Sequence, residues 1–252
     1  MMNSTKCAAL ALLAGALSAI TAEAVTNVTC DVAARLGYQT SEQILNGAKI
    51  TEWSSPLVGV EGTVGFLASD SLKLECRGVF DVLFDSGTLY ADSAAGTDYT
   101  ATQLRLKGEG YAGWIIGNTN LSVMPFVGLG YRTWSWSDPD PTFPHIETWS
   151  AVYGLVGARG DVQFGSAKVY GRIAVQIPVK DTVTAEGYER TLEHNSTTMV
   201  EAELGMVAGR LLLGLWGEWF NYSSDNLPSV DFIGYAEDVT ITTIGVKIGA
   251  AF

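Results

Sequence analysis

Two histidines, His145 and His194, are the side chains in this sequence that most readily exchange protons near neutral pH. His145 follows Asp138 and Asp140 in one polar stretch, and His194 directly follows Glu193 in another. A carboxylate beside an imidazole can orient the ring so that it activates water for hydrolysis. Histidines in polar stretches are more often simply hydrated, and no serine stands at a spacing that would complete a nucleophilic site. The sequence therefore predicts no catalytic residues.

Acidic residues concentrate in the long polar stretches between the apolar segments. The formal net charge is −12, and these stretches carry essentially all of it. Nucleic acid is excluded as a partner because phosphate binding requires clustered Lys and Arg. The carboxylates of "SDPDP" (137–141) lack the spacing of an EF-hand calcium loop. The sequence accordingly predicts neither a metal site nor a cofactor.

The first residues have the pattern of a secretory signal peptide. Lys6 supplies a positive charge, residues 7–20 are apolar or small, and "AEA" at 22–24 is typical of a cleavage site. The apolar run is shorter than the roughly 20 residues that span a bilayer as a helix. We expect residues 1–24 to be a cleaved signal peptide and residues 25–252 to form one exported domain.

Apolar and polar residues alternate along most of the remaining chain, as they do in strands with two unlike faces. In "LKLECRGVF" (72–80), Lys73, Glu75 and Arg77 share one face, and the residues between them are apolar or small. Ten such segments occur, and a count of eight is the alternative. Their approximate cores are 30–39, 57–67, 72–84, 100–112, 121–134, 149–159, 167–178, 198–207, 210–221 and 240–252.

The connections between these segments alternate between short and long. "ASDS" (68–71) and "AG" (208–209) are short, whereas the stretches centred on "SEQILNGAKITEW" (41–53) and "DSGTLYADSAAGTD" (85–98) are long. Sorting of this kind is typical of an even-stranded outer-membrane barrel. We therefore predict an all-β fold, a single antiparallel transmembrane β-barrel of about ten strands.

The charged side chains fall on one face of the predicted strands. A charge on the lipid face costs about 2–4 kcal/mol near the bilayer midplane, so this face should line the lumen, where opposite charges can pair. A soluble β-sandwich or lipocalin-like barrel, with the two faces reversed, is the alternative that alternation leaves open. The charged residues predicted to face the lumen are Arg35, Glu61, Lys73, Glu75, Arg77, Asp81, Arg105, Lys107, Glu109, Arg132, Lys168, Arg172, Glu201, Glu203, Glu218 and Lys247.

Aromatic residues recur near the ends of the predicted strands, as in the girdles at membrane interfaces. Trp114 lies toward the short connections. Those toward the long connections are Tyr38, Trp53, Tyr131, Trp134, Trp136, Trp149, Trp219 and Tyr222.

Two cysteines, Cys30 and Cys76, remain after the predicted cleavage site. One strand would lie between them, which separates them by about 10 Å, beyond the roughly 7 Å that a disulfide can bridge. We predict no disulfide between them.

The chain ends on "ITTIGVKIGAAF" (241–252), in which Ile244, Val246, Ile248 and the terminal Phe252 alternate with small or polar residues. This pattern resembles the C-terminal strand of bacterial outer-membrane β-barrel proteins, which the barrel-assembly machinery reads as an assembly signal. "MPFVGLGYRTW" (124–134) is similar to a strand of an uncharacterised group of small opacity- and porin-like barrels. The resemblance implies a barrel closed between its first and last strands, and it implies no activity. Omptin-type proteases share the strand count, but their catalytic motifs are absent.

From these patterns we expect a non-enzymatic, monomeric protein in the outer membrane of a Gram-negative bacterium. It would act in adhesion or envelope structure through acidic external loops. Its expected partners are outer-membrane lipid and lipopolysaccharide, the barrel-assembly machinery and an unidentified extracellular ligand. A porin-like channel is the alternative. It would be narrow, because ten strands enclose a lumen close to the size that side chains fill. An omptin-like hydrolase ranks third.

Overall fold

The computed structural model describes residues 28–45, 48–89, 97–138, 145–185, 188–192, 199–223 and 238–252. The predicted signal peptide (1–24) lies outside these residues, and so do Asp140, Glu193 and His194. Asp138 and His145 are register partners at the ends of two neighbouring strands.

Strands make up almost all of the described chain. Among the described residues no helix has the length and apolar character needed to cross a membrane. The strands are β1 (Val28–Leu45), β2 (Ala48–Leu67), β3 (Leu72–Leu89), β4 (Thr97–Trp114), β5 (Ile116–Gly117), β6 (Leu121–Asp138), β7 (His145–Phe164), β8 (Ala167–Ala185), β9 (Tyr188–Leu192), β10 (Met199–Ala208), β11 (Leu211–Ser223) and β12 (Asp238–Ala251).

Ten of these strands close into an antiparallel barrel in the order β1, β2, β3, β4, β6, β7, β8, β10, β11, β12. The first strand, β1, pairs with the last, β12, along its length. Within the described residues, the short strand β5 pairs with β6 alone and the short strand β9 pairs with β8 alone. Closure removes the open sheet edge that a terminal strand would otherwise expose. The prediction of a ten-stranded antiparallel barrel is confirmed.

The connections at one end of the barrel, which we call the short-turn end, are tight hairpins. Gly165 and Gly209 have φ angles of 57° and 62°, in the left-handed region that glycine adopts without steric cost and that two-residue hairpin turns require. The chain terminus also lies here, because the Phe252 amide donates to the Cys30 carbonyl at 2.8 Å. The opposite rim is the long-loop end.

The strands extend further toward the long-loop end than predicted. β2 begins at Ala48 rather than near residue 57, and β7 at His145 rather than near residue 149. Most of "SEQILNGAKITEW", predicted as a connection, belongs to β1 and β2. These strand ends carry polar residues on both faces, so the period-two signal fades there. β1 contains 18 residues and β2 contains 20, well beyond the roughly 9–11 that cross a bilayer.

Candidate functional site in the charged lumen

The charged side chains of the barrel strands point into the lumen, and most of them are buried. Arg35 and Glu201 are each only 1% exposed. Lys73, Arg105 and Lys168 keep partial exposure. On the inner face the structure places Arg35, Glu61, Lys73, Glu75, Arg77, Asp81, Arg105, Lys107, Glu109, Arg132, Lys168, Arg172, Glu201, Glu203, Glu218 and Lys247.

Glu61, on β2, gathers cations from three different strands. Its carboxylate accepts hydrogen bonds of 2.8 Å from each of Arg35, Arg77 and Lys247. A buried charge is costly unless it is both paired and hydrogen-bonded. Three charge-assisted donors therefore offset the cost of placing this carboxylate inside the barrel.

Glu201, on β10, is a second centre of the same kind. It accepts hydrogen bonds from Lys107 at 2.7 Å and from Arg172 at 2.6 Å, and it also accepts one from Arg77. Arg77 thereby joins the two centres, since the same guanidinium donates to Glu61.

Several of these ion pairs span the full width of the lumen. Arg77 is on β3 and its partner Glu201 is on β10, five strands away in either direction around the ten-stranded barrel. Lys107 on β4 reaches Glu218 on β11, also five strands away, at 2.6 Å. Side chains from opposite walls therefore meet, and at this level the lumen is filled.

This layer is electrically balanced, which limits the cost of burying it. We call its twelve members the charged plug. Six are cations and six are carboxylates, each in at least one ion pair: Arg35, Arg77, Arg105, Lys107, Arg172 and Lys247 with Glu61, Asp81, Glu109, Glu201, Glu203 and Glu218.

Small cavities flank the charged plug. The one toward the long-loop end has a volume of about 50 Å³, and Gln39, Gln103 and Phe220 contribute to its walls. The other, of about 20 Å³, lies toward the short-turn end beside Thr63 and Leu212. A buried water needs about 10–15 Å³ of such space, so these cavities have room for a few water molecules but not for a larger solute.

An aromatic cluster lies above the plug, toward the long-loop end. Trp134 and Trp149 stack with ring centres 5.7 Å apart and planes at 7°, and Phe220 meets Trp134 edge-on at 5.9 Å. These side chains, like Trp53, are on the inner face, so assigning Trp53, Trp134 and Trp149 to an interfacial girdle was wrong. Strict alternation would have placed Trp134 inside, because it stands two residues after the inward Arg132.

A second cluster of charges at the short-turn end was missed in part by the sequence analysis. Arg159 donates to Asp161 at 3.1 Å, and neither belonged to the predicted lumen set. The sixth predicted strand ended at residue 159 and the next residues were assigned to a turn, whereas β7 continues to Phe164. Nearby, Glu75 accepts hydrogen bonds from Lys73 at 2.6 Å and from Tyr111.

The outward face carries an apolar band between two aromatic rings. Between these rings, the outward positions of the described strands hold no charged residue. The ring toward the long-loop end consists of Tyr38, Phe84, Tyr131 and Trp219, and the ring toward the short-turn end of Phe66, Trp114, Phe164 and Phe252. The side chains of Trp136 and Tyr222, also predicted for a girdle, lie outside the described set.

Comparison with known structures agrees with this geometry. The outer membrane protease OmpT from Escherichia coli superposes with a TM-score of 0.60 at 10% identity, over 92% of this chain and 99% of that chain. The fold is that of an outer-membrane β-barrel. The outer membrane protein OprG from Pseudomonas aeruginosa is a looser match, with a TM-score of 0.41 and 11% identity over 90% and 96% of the two chains. No protein-family model and no curated protein matches the sequence.

The superposition with OmpT establishes the fold alone, because an identity of 10% says nothing about activity. The finer resemblance to opacity- and porin-like barrels stays a prediction.

The last strand presents its apolar residues outward. Ile244, Val246, Ile248 and Phe252 are 64%, 47%, 53% and 66% exposed, whereas Lys247 between them is buried. The outward face of the strand is therefore apolar, and it ends on an aromatic residue at the short-turn rim. Its role as an assembly signal stays a prediction.

The two cysteines occupy the outward face, one on each side of β2. In strand register Val64 faces Cys30 on β1 and Cys76 on β3. Two strand spacings amount to about 10 Å, and both thiols are free.

The residues considered for hydrolysis or metal binding do not form a described site. The side chains of Asp138 and His145 lie outside the described set. Within the described residues, no group of three or more His, Cys, Asp or Glu side chains is arranged to hold a metal ion.

Proposed function

We propose that the chain is an outer-membrane protein whose lumen is sealed by the charged plug and whose activity resides at the long-loop end. The polarity of the two faces supports membrane placement. Apolar residues face outward between aromatic rings, and charges face inward in pairs, as a transmembrane barrel requires. A soluble barrel would turn its apolar face inward and its charges toward water.

The proposal of a sealed lumen is supported by the contact between side chains from opposite walls of the barrel. Arg77 with Glu201, and Lys107 with Glu218, connect strands that face each other across the barrel. Small barrels of about eight strands are filled by side chains, whereas 16–18 strands leave an aqueous channel. A general porin function is therefore disfavoured, and the long-loop end becomes the candidate working surface.

A non-enzymatic role in adhesion or envelope structure suits this arrangement. The strands continue past the outer aromatic ring with polar residues on both faces, so they extend beyond the apolar band. In the sequence, the long connections that follow these strands contain most of the excess carboxylates of the chain. A rigid barrel that displays acidic segments can bind a surface outside the cell without passing solutes.

Liposome swelling tests the sealed lumen. The purified protein, refolded into liposomes, is diluted into isotonic solutions of small sugars and amino acids. We expect swelling no faster than that of empty liposomes. Swelling whose rate rises with protein content and falls with solute size would contradict the proposal and indicate a porin.

Attachment assays test the surface role. Expressing cells are compared with cells carrying a variant in which Asp225 and Asp231 of the segment 224–237 are replaced by Asn. We expect a change in attachment to host-cell surfaces or in detergent sensitivity of the envelope. If both stay unchanged in a deletion strain as well, the adhesive and the envelope roles are both contradicted.

A narrow channel is the second candidate, and one observation favours it. The barrier formed by the described residues consists of side chains, with a small cavity on each side. Side chains can rearrange faster and at lower cost than backbone. Small, discrete steps of cation or anion conductance across a bilayer, together with no liposome swelling in sugar solutions, would support this candidate.

A further inference from the structure

Beyond the outer aromatic ring, the outward side chains change abruptly from apolar to hydroxyl-bearing. On β1 Tyr38 is followed at the next outward position by Thr40, and on β3 Phe84 is followed by Ser86. The same step occurs on β2, β4, β6 and β12. We call the first hydroxyl-bearing residues above the band the hydroxyl belt, represented by Thr40, Ser54, Ser86, Thr102, Thr133 and Thr242.

On one side of the barrel the hydroxyl belt is concave. A groove of about 760 Å³ runs over β12, β1, β2, β3 and β4, and most of its lining residues are on the outward face, whereas Ser41, Trp53 and Gly87 are on the inner face. This volume lies in the usual range of about 300–1,000 Å³ for sites that take small ligands. Hydroxyl groups line it at Thr40, Ser54, Ser86, Thr100, Thr240 and Thr242.

Carboxylates also line the groove, and they give its described residues a negative net charge. Glu42, Glu52 and Asp98 contribute to the walls. Lys49 pairs with Glu42 at 3.3 Å and with Glu52 at 3.1 Å, so among the described residues one cation stands against three carboxylates. A phosphate would meet net repulsion here.

The donors and acceptors of the groove match a saccharide. A hydroxyl side chain donates one hydrogen bond and accepts others, and a carboxylate accepts several. Sugars present dense hydroxyl groups of the same dual character. An apolar ligand would leave these polar side chains unpaired, which is unfavourable.

The position of the groove identifies the source of the saccharide. Aromatic rings of outer-membrane barrels lie at the level of the lipid headgroups. The groove begins directly above Tyr38 and Phe84 on the outward face, where the headgroups of the surrounding lipid are the nearest neighbours. We propose that this groove binds the sugar portion of the outer-leaflet glycolipid. The proposal rests on the outer-membrane placement proposed above.

Binding of purified glycolipid to the full chain in detergent tests the proposal. The protein should retain lipopolysaccharide with a complete core about tenfold more tightly than lipid A without core sugars, as several hydrogen bonds require. Free core oligosaccharide should compete, and inorganic phosphate should not. Equal retention of the two lipids, or competition by phosphate, would overturn the saccharide assignment.

A pair of triple variants locates the site. T40V/T100V/T242V removes three groove hydroxyls at nearly constant volume, whereas T102V/T133V/T148V removes three outward hydroxyls outside the groove. We expect the first to lose about tenfold in affinity for complete lipopolysaccharide and the second to bind like wild type. Equal losses would assign binding to the belt as a whole and overturn the groove.

Two further measurements keep the outcomes distinct. Heat-modifiable gel migration shows that each variant is folded, and the wild-type comparison of the two lipids stands even if a variant misfolds. Flotation with liposomes tests membrane placement separately. A chain that fails to float contradicts the proposed outer-membrane function, whereas a chain that floats but ignores core sugars contradicts only the groove.

Discussion

Lys247 and its neighbours Val246 and Ile248 share one strand but meet opposite surroundings. Lys247 is buried in the lumen between Glu61 and Glu203, at 2.8 and 2.5 Å. Val246 and Ile248 are about half exposed on the outward face. The same backbone thus supports two surfaces, one stabilised by paired charges and the other suited to an apolar solvent. The contrast shows that a closed barrel can bury charge in its centre while it exposes apolar side chains.

Amino-acid substitutions affect the stability of the two surfaces in different ways. On the inner face, loss of one partner leaves several buried cations with too few carboxylates. On the outward face, in the proposed membrane placement, gain of a charge is the damaging change because lipid offers it no partner.

The largest effect is expected at the centre of the charged plug. Glu201→Ala leaves Arg77, Lys107 and Arg172 without their shared carboxylate, and we expect a loss of about 3–5 kcal/mol in the free energy of unfolding. Urea titration of the protein in lipid vesicles measures it. Glu52→Ala is the matched control, since Glu52 pairs with an exposed lysine, and it should cost about 0–1 kcal/mol. Similar losses for both would contradict the distinction between buried and exposed pairs.

A charge on the outward band is expected to come next. Val246→Lys places an ammonium group within the apolar band and should cost about 2–4 kcal/mol of folding free energy in a bilayer. Thr242→Lys, two outward positions above on the same strand, should cost about 0–1 kcal/mol because it lies near the interface. If Val246→Lys proves harmless, the outward face does not contact lipid.

The smallest effect concerns the aromatic cluster above the plug. A double-mutant cycle with Trp134→Leu and Trp149→Leu should give a coupling of about 0.5–1.5 kcal/mol, as stacked rings do. The pair Trp149 and Trp219, on opposite faces of the wall, serves as the reference and should show almost none. Absence of coupling between Trp134 and Trp149 would contradict the stacking of the two rings.

Period-two alternation was sufficient to predict the strand number and the sides of the plug residues. Alternation is a local property, and Arg77 or Lys247 keeps its side wherever the strand pairs. The ion-pair partners of these residues, in contrast, lie in segments that are distant in the sequence. That Arg77 meets Glu201 depends on the closure and stagger of the whole barrel, which no single segment encodes.

The remaining differences between the predicted and the observed placement of residues occur near the strand ends. Asp85 was assigned to a connection, yet it lies on the inner face of β3, where Gln103 donates to it at 2.7 Å and Ser55 donates as well. Trp149 was assigned by its distance from a loop rather than by its side of the strand. In both cases polar residues on the two faces concealed the alternation.

Single-channel recording in planar bilayers tests the sealed lumen most directly. Wild-type protein should insert without stepwise conductance at low voltage, because paired side chains from opposite walls close the lumen. The double variant R77A/E201A, which removes one pair that spans the barrel, should show discrete openings. Stepwise conductance in the wild-type protein, unchanged in the double variant, would contradict the account.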